Sequence, residues 1–276
     1  MPKLTMLVGS PGSGKSTLAT TNKDFCVPGQ YINQDTQGKE GHLSLFKAAL
    51  EQRSDILCDR MNFSKTQRDR YIIPAKAAGY SVEIIVLHVP YQVCLDRCIV
   101  RIGNHPTIND EATARKAVHM FYTKYERVED SEADVVKRLG WDTPDKKNAI
   151  WCDLDNTLAD TTHREHFLSG KSADSKENQK KNWPAFFGAM SDDPCNQWCK
   201  ALLKGMSANN QVLIVSARPD DYCKVTIEWL NKHYVNYDKV IMRSRGDYRR
   251  DSIVKLQLYE FEIKTRYNLL FSVDDR

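Results

Sequence analysis

The sequence has no long apolar run, and no stretch approaches the roughly 18 residues that a membrane-spanning helix requires. Its N-terminus also lacks the charged and apolar segments of a secretory signal peptide, because Met1 and Pro2 lead directly into a predicted strand. We therefore expect a cytoplasmic protein.

The eight cysteines include no C-x₂-C pair, so the sequence favours neither a zinc site nor a disulfide framework. Two pairs have C-x₃-C spacing, Cys94/Cys98 and Cys195/Cys199, which places each pair on one face of a helix. We interpret all eight cysteines, with Cys26, Cys58, Cys152 and Cys223, as reduced thiols, and the two C-x₃-C pairs as core-packing residues.

Charge of either sign is not in large excess. The formal net charge is +4, which is compatible with a polyanionic partner but does not establish one. At 276 residues, with 41% hydrophobic and 28% charged residues, the chain is long enough for two globular domains, and a single compact domain is the less favoured alternative.

A glycine-rich stretch follows the apolar segment that ends at Val8. It matches the spacing of a phosphate-binding loop between a strand and a helix, and it comprises Gly9, Ser10, Pro11, Gly12, Ser13, Gly14, Lys15, Ser16 and Thr17. We expect Lys15 to reach the β- and γ-phosphates and Ser16 to bind magnesium. A simple tight connection is the alternative, but the complete spacing favours ATP or GTP binding.

Two further acids follow short apolar segments in this half. The segment at Tyr31 predicts a strand that ends at Asp35, where the carboxylate is placed to act as a base. A helix N-cap before a segment starting near Thr36 is the alternative for Asp35. Asp59 ends the apolar run 56–59 and is interpreted as a magnesium-side carboxylate or as a turn residue.

The rest of the first half alternates between strand and helix patterns, which predicts a parallel sheet. A strand is predicted at 82–87, and Arg97 and Arg101 follow it four residues apart on one helix face. Such a pair either closes over a transferred phosphoryl group or is a solvated cationic face. We also predict an amphipathic helix over 111–136 and a linker over 140–147.

The second half begins with a buried-strand pattern at 149–152 that leads into Asp153 and Asp155. Residues two apart on an extended backbone share a face, so the two carboxylates converge at the strand end, where magnesium offsets their repulsion. One carboxylate can then attack phosphorus while the other transfers a proton.

Downstream, a hydroxyl, a lysine and an acidic pair follow further predicted strands and a helix, at Ser216, Lys255 and Asp274/Asp275. In this order the residues 149–276 resemble the haloacid dehalogenase superfamily of magnesium-dependent phosphotransferases. That resemblance implies these roles: Asp153 as nucleophile, Asp155 as general acid and base, Ser216 as phosphate ligand, Lys255 as charge clamp, and Asp153, Asp155, Asp274 and Asp275 around the metal.

The two halves in this order resemble the phage-type polynucleotide kinase-phosphatases. The resemblance implies an α/β fold with a P-loop kinase domain at 1–140 and a haloacid dehalogenase-like phosphatase domain at 148–276. It also implies a phage enzyme in the host cytoplasm that uses ATP or another NTP and Mg to phosphorylate 5′-OH ends and to remove 3′-phosphates. Its further site residues match Arg97 and Arg101 on the transferred phosphoryl group, Asp35 as base, and Arg164, Arg218 and Asp251 in the phosphatase.

The partners implied are the ends of RNA or DNA, and a homo-oligomer is left open. We expect contact with ends alone, because the sequence has no aromatic and basic stripe of the kind that lines a long nucleic-acid channel. The alternatives are a kinase and phosphatase of small nucleosides or sugars, and a non-catalytic ATP-binding scaffold of a repair complex.

Three features depart from the family pattern or add to it. Gly38, followed by Lys39, stands where the family usually has an arginine, which predicts a different grip on the substrate. The family continues beyond the acidic pair, whereas this sequence ends at Arg276, so we expect a missing C-terminal piece or a sheet completed in another way. The basic insertion over 163–183 is a cap over the phosphatase site or a solvated loop, and includes Lys171, Lys176, Lys180 and Lys181.

Overall fold

The structure is a computed structural model that describes residues 1–21, 30–168 and 181–275. The chain divides into two compact units, and the division between Thr143 and Pro144 falls inside the predicted linker. The first unit also includes Glu260–Thr265, a segment that the sequence analysis placed in the second domain. This segment belongs to the first unit because Phe261, 1% exposed, packs its ring against the aromatic side chains of Phe121, Tyr122 and Tyr125.

The first unit is built on a five-stranded parallel sheet with the order β2-β3-β1-β4-β5. Its strands are β1 (Lys3–Val8), β2 (Gln30–Ile32), β3 (Ile56–Asp59), β4 (Ser81–His88) and β5 (Val135–Gly140). Its helices are α1 (Lys15–Thr21), α2 (Gln34–Glu51), α3 (Lys65–Ala77), α4 (Tyr91–Val100) and α5 (Glu111–Lys124). The central strands β1 and β4 are buried along nearly their whole length, as expected for a sheet covered on both faces.

The helix predicted over 111–136 is wrong beyond Lys124, where α5 ends. The chain then makes a short 3₁₀ turn, Asp130–Glu132, and continues as β5 along the edge of β4. The turn is fixed by a buried ion pair, in which Arg68 donates from Nε to Glu132 Oε2 (2.7 Å) and from Nη2 to Glu132 Oε1 (2.9 Å). The apolar periodicity over 111–136 reflects local sequence alone, so it did not predict this contact between distant residues.

The second unit has a four-stranded parallel sheet with the order β8-β7-β6-β9. Its strands are β6 (Lys147–Cys152), β7 (Gln211–Pro219), β8 (Lys239–Arg243) and β9 (Tyr267–Val273). Its helices are α6 (Trp183–Gly188), α7 (Gln197–Met206), α8 (Cys223–Lys232) and α9 (Asp251–Leu258). The apolar residues of β6 and β7 pack with α7 and α8 around Trp229, which is 2% exposed.

The two C-x₃-C pairs agree with the core interpretation. The seven cysteines that the structure describes are free thiols, and both C-x₃-C pairs are buried. Cys152 and Cys199 lie with their Sγ atoms 3.5 Å apart, while Cys26 falls outside the described residues. Over the described ranges, we find no helix with both the length and the apolar character to cross a membrane.

Candidate active sites in the two units

The glycine-rich loop joins β1 to α1 and requires glycine at two positions with positive φ. Gly12 has φ of 80° and Gly14 has φ of 95°, a region that residues with a Cβ rarely adopt. At Gly12 a Cβ would also lie 2.2 Å from the carbonyl oxygen of Cys94 on α4. The loop therefore packs closely on α4, and its backbone conformation is the one predicted from the glycine spacing.

Lys15 lies over this loop, where its Nζ donates to the carbonyl oxygens of Gly9 (2.9 Å) and Ser10 (2.8 Å). Burial lowers the pKa of Lys15, opposed by the nearby carboxylates of Asp59 and Asp35. The Ser13 hydroxyl is buried and has no hydrogen-bond partner among the described residues. A loop with an ammonium group and an unpartnered hydroxyl fits the phosphates of a nucleotide.

Asp59 ends β3, as predicted, and its carboxylate accepts hydrogen bonds from two hydroxyl groups. Its Oδ2 accepts hydrogen bonds from Ser16 Oγ (2.7 Å) and from the phenol of Tyr31 (2.6 Å). Burial and the bond to Asp59 raise the pKa of Tyr31 to about 12, which keeps the phenol a donor at neutral pH. A hydroxyl and a carboxylate in contact at the start of α1 are suitable ligands for Mg²⁺.

Neither interpretation of Asp35 was right about its element. Strand β2 ends at Ile32, Asn33 caps α2 by accepting from Asp35 N (2.8 Å), and Asp35 lies in the first turn of that helix. Its side chain is exposed, and the helix bends at Gly38, which has φ of 73°. The carboxylate of Asp35 nevertheless lies near Lys15, because the α2 N-terminus follows the strand next to β3.

The two arginines of α4 differ in their surroundings. Arg97 donates from Nη1 to the carbonyl oxygen of Gly12 (3.2 Å) and stacks its guanidinium 4.1 Å from the centre of the Trp141 ring. Arg101 follows the end of α4, is exposed, and donates from Nε to the Arg97 carbonyl (3.1 Å). The structure thus brings Arg97 to the phosphate loop and leaves Arg101 at its periphery.

Arg60 is a candidate that the sequence analysis missed. It follows Asp59 directly and donates from Nη1 to the Tyr71 hydroxyl (2.5 Å) and from Nη2 to the amide oxygen of Gln34. Within the described part of the chain it has no carboxylate partner, so most of its five N–H donors are available to an anion. In the sequence, Arg60 is marked only by its position directly after Asp59, the acid that ends β3.

The second unit brings together the acids predicted at the ends of β6 and β9. One carboxylate oxygen each from Asp153, Asp274 and Asp275 lies within 4.8 Å of the others. Lys255 on α9 contacts this cluster, with its Nζ 2.9 Å from Asp153 Oδ1 and 2.7 Å from Asp274 Oδ2. Three converging carboxylates fit a hard divalent cation such as Mg²⁺.

The carboxylate of Asp155 lies on two buried arginines instead of in this acidic cluster. Arg164 Nη2 and Arg218 Nη2 each donate to Asp155 Oδ1 at 2.6 Å. Asp193 completes the network, since Arg164 donates to both of its oxygens at 2.6 Å and Arg218 Nη2 donates to Oδ2 at 3.1 Å. Asp193 was not predicted from the sequence, because nothing in the local pattern 192–194 distinguishes it from an ordinary turn residue.

The pKa values of the two aspartates of β6 shift in opposite directions. Burial raises the pKa of Asp153 to about 7, partly offset by Lys255. Burial would also raise the pKa of Asp155, but the charges of Arg218 and Arg164 outweigh it and lower that pKa. Two carboxylates separated by one residue therefore have different protonation behaviour, because Asp153 is buried beside other acids and Asp155 is held by two arginines.

The remaining predicted phosphatase residues have different positions. Ser216 is fully buried in β7, where its Oγ accepts from the backbone N–H of Arg218 (3.1 Å). Asp251, in the first turn of α9, forms an ion pair with Arg243 at the end of β8. Of the insertion lysines, Lys171, Lys176 and Lys180 lie outside the described residues.

Comparisons with known proteins relate the second unit to a known phosphatase family. Residues 147–276 match the family model of the polynucleotide kinase PNKP phosphatase domain. A protein of Autographa californica nuclear polyhedrosis virus named "Putative bifunctional polynucleotide kinase/RNA ligase" is 23% identical over 303 aligned positions, which cover 99% of this chain and 40% of the viral protein.

A second curated relative, transcription factor bHLH140 of Arabidopsis thaliana, is 31% identical over 128 residues, or 43% of this chain and 14% of that protein. The chain thus spans less than half the length of both curated relatives. Among solved structures, one chain from the Pnkp1/Rnl/Hen1 RNA repair complex is 22% identical, with a TM-score of 0.38 and coverage of 100% of this chain and 90% of that one.

The family match covers the strand-end acids, both buried arginines and the lysine of α9. Those residues are the ones that the structure gathers into one site. Residues 147–276 therefore belong to the family of the polynucleotide kinase PNKP phosphatase domain.

Proposed function

We propose that this chain heals broken nucleic-acid ends, with a 5′-hydroxyl kinase in the first unit and a 3′-phosphatase in the second. The observation that carries the proposal is the cluster of Asp153, Asp274, Asp275 and Lys255 within a domain of this family. The first unit adds a phosphate-binding loop with Lys15 over it. RNA or DNA ends are the proposed partners, and ATP or another NTP is the proposed phosphate donor.

In the kinase, the 5′-hydroxyl oxygen attacks the γ-phosphorus and the bond to the β-phosphate oxygen breaks, which releases ADP. Asp35 accepts the proton of the hydroxyl, and its exposed position in the first turn of α2 leaves it accessible to an incoming strand end. Lys15 and Arg97 offset negative charge on the phosphates, because one lies over the loop and the other donates to the Gly12 carbonyl beside it. Ser16 and Asp59 are the proposed magnesium-side ligands.

In the phosphatase, an oxygen of Asp153 attacks the 3′-phosphate and the P–O3′ bond breaks, while Asp155 gives a proton to the leaving oxygen. Water then attacks the phosphorus of the aspartyl phosphate, and Asp155 takes the proton of that water. The bond between phosphorus and the Asp153 oxygen breaks, which regenerates the Asp153 carboxylate and releases inorganic phosphate. Magnesium held by Asp153, Asp274 and Asp275 would supply charge neutralisation at the phosphoryl oxygens.

The ion pairs of Asp155 bear on how it carries this proton. A phosphate dianion that binds at Arg164 and Arg218 competes with the Asp155 carboxylate for their N–H donors. This competition raises the pKa of Asp155 from its lowered value, since less positive charge then stabilises the ionised form. Ser216 and Lys255 are the further groups proposed to contact the phosphate.

The test is one incubation of the full chain with labelled ATP, magnesium and two oligonucleotides, one ending in 5′-OH and one in 3′-phosphate. The proposal predicts label transfer to the first and phosphate release from the second. If neither oligonucleotide reacts while a small phosphomonoester is hydrolysed, the nucleic-acid substrate is wrong and a small-metabolite kinase and phosphatase takes its place. No reaction with any of these substrates would favour a non-catalytic role.

A further inference from the structure

A row of aromatic rings lies on the second unit beside its arginines, and the mechanism above does not use it. The rings of Trp183 and Phe187 on α6 are stacked, with centroids 5.7 Å apart and an angle of 23° between their planes. The ring of Phe187 in turn lies 4.7 Å from that of Tyr222, at 33°. We call Trp183, Phe187 and Tyr222 the aromatic ladder.

The two chain segments that carry the ladder, α6 and the turn at Tyr222, both lie beside an arginine of the candidate phosphatase site. On α6, Phe186 packs edge-on against Phe187 and faces the Arg164 guanidinium, whose Cζ is 4.0 Å from the ring centroid. Tyr222 follows Arg218 by four residues, in the short turn after β7. Arg164 and Arg218 are the two arginines that contact Asp155, so the ladder lies next to the proposed phosphate position.

The outermost ring of the ladder is open, unlike a ring that serves only the core. Trp183 is 45% exposed, whereas Phe186 next to it is 6% exposed. The Lys181 ammonium lies 5.7 Å from the Trp183 ring centroid, which places a positive charge at the exposed end. An open indole, near-parallel rings behind it and a cation beside it form a surface that fits a nucleobase and its attached phosphodiester.

We propose that the aromatic ladder stacks the terminal nucleobase of a strand whose 3′-phosphate occupies the site at Asp153, and this inference rests on the proposed phosphatase function. Stacking on an aromatic side chain stabilises a bound base by about 1–3 kcal/mol. Every base has a π-face, so the ladder recognises the presence of a terminal base and not its identity. Trp183 is then a substrate-binding residue of the phosphatase.

The test compares two 3′-phosphate oligonucleotides that differ only in the terminal nucleoside, one with its base and one abasic. The wild type should favour the base-bearing substrate in kcat/KM by about 5- to 150-fold, the equivalent of 1–3 kcal/mol. Trp183→Ala should lose this preference, because phosphate release slows for the base-bearing substrate and not for the abasic one. Trp183→Phe should retain part of the preference. Trp198→Ala, which removes a 59% exposed tryptophan from α7, is the matched control and should behave as the wild type.

Equal kcat/KM values of the wild type for both substrates would overturn the inference while leaving the phosphatase proposal intact. An unchanged preference in Trp183→Ala would overturn it as well. If the wild type releases no phosphate from any 3′-phosphate oligonucleotide, the proposed function fails and the inference fails with it. The comparison of the two substrates with the wild type tests the inference even if the Trp183→Ala variant does not fold.

Discussion

Asp193 is a buried carboxylate that holds both arginines of the candidate phosphatase site. It is 1% exposed and accepts hydrogen bonds from both arginines that contact Asp155, and from His163 Nε2 at 2.9 Å. Without Asp193, Asp155 would be the remaining carboxylate partner of the two guanidinium groups among the described residues, and part of their buried charge would be uncompensated. We therefore assign Asp193 a positioning role.

We predict that Asp193→Asn lowers phosphatase kcat/KM by about 10- to 100-fold, the size expected when a supporting hydrogen-bond partner is removed. The side chain keeps its shape but loses the charge that orients Arg164 and Arg218. Phosphate release from a 3′-phosphate oligonucleotide measures the loss, and label transfer to a 5′-OH end by the same preparation shows that the chain is folded. Asp192→Asn, at the exposed neighbouring position, is the control. A phosphatase rate equal to that of the control would contradict the positioning role.

At the scale of elements, the phosphate-binding loop requires glycine at Gly12, where the backbone has positive φ and packs closely on α4. Gly12→Ala should lower the melting temperature more than Gly38→Ala does. Both positions have positive φ, but a Cβ at Gly12 meets the Cys94 carbonyl oxygen at 2.2 Å, whereas nothing lies within 4 Å at Gly38. Thermal denaturation of the two variants is the measurement. Equal destabilisation would mean that φ alone, and not the packing of the loop on α4, sets the requirement.

Strand β4 ends in a buried histidine that makes the stability of the first unit depend on pH. Burial, with the charges of Arg138, Lys264 and Arg127, lowers the pKa of His88 from 6.5 to about 4. The folded state favours the neutral form of His88, so the histidine's contribution to the free energy of unfolding is fully present above pH 6.5. It is lost as the pH falls from 6.5 to 4, because in that range the unfolded chain takes up the proton and the folded chain does not. At about 1.4 kcal/mol per pKa unit, the contribution is about 3 kcal/mol.

Urea unfolding of the wild type and of His88→Gln at several pH values tests this prediction. The wild type should lose stability over that range more steeply than the variant, because glutamine has no proton to gain. His119→Gln on α5 is the matched control and should retain the wild-type slope. Parallel curves for the wild type and His88→Gln would show that another group is responsible.

At the scale of the whole molecule, the features predictable from the sequence are those that local pattern determines. Apolar strands lead into acids at Asp59, Asp153 and Asp274 as predicted, because apolar runs followed by a carboxylate are visible in any short window. The glycine loop is equally local. Both parallel sheets follow from the alternation of strands and helices.

The features that sequence reasoning missed depend on contacts between distant segments. Strand β5 forms against the edge of β4 instead of extending α5, and the turn before it is fixed by an ion pair across 64 positions. Asp193 is recognisable only after Arg164 and Arg218 have been brought together. The segment 260–265 belongs to the first unit because the aromatic residues that surround Phe261 come from α5 and the residue after it.

We propose that two separate active sites operate in one chain, and the most direct test measures both activities in two variants. Lys15→Ala removes the ammonium over the phosphate loop, and Asp153→Ala removes the proposed nucleophile. We predict that Lys15→Ala abolishes label transfer from ATP to a 5′-OH oligonucleotide while retaining phosphate release, and that Asp153→Ala does the reverse. Loss of both activities from either single substitution, in a variant that melts like the wild type, would contradict the account.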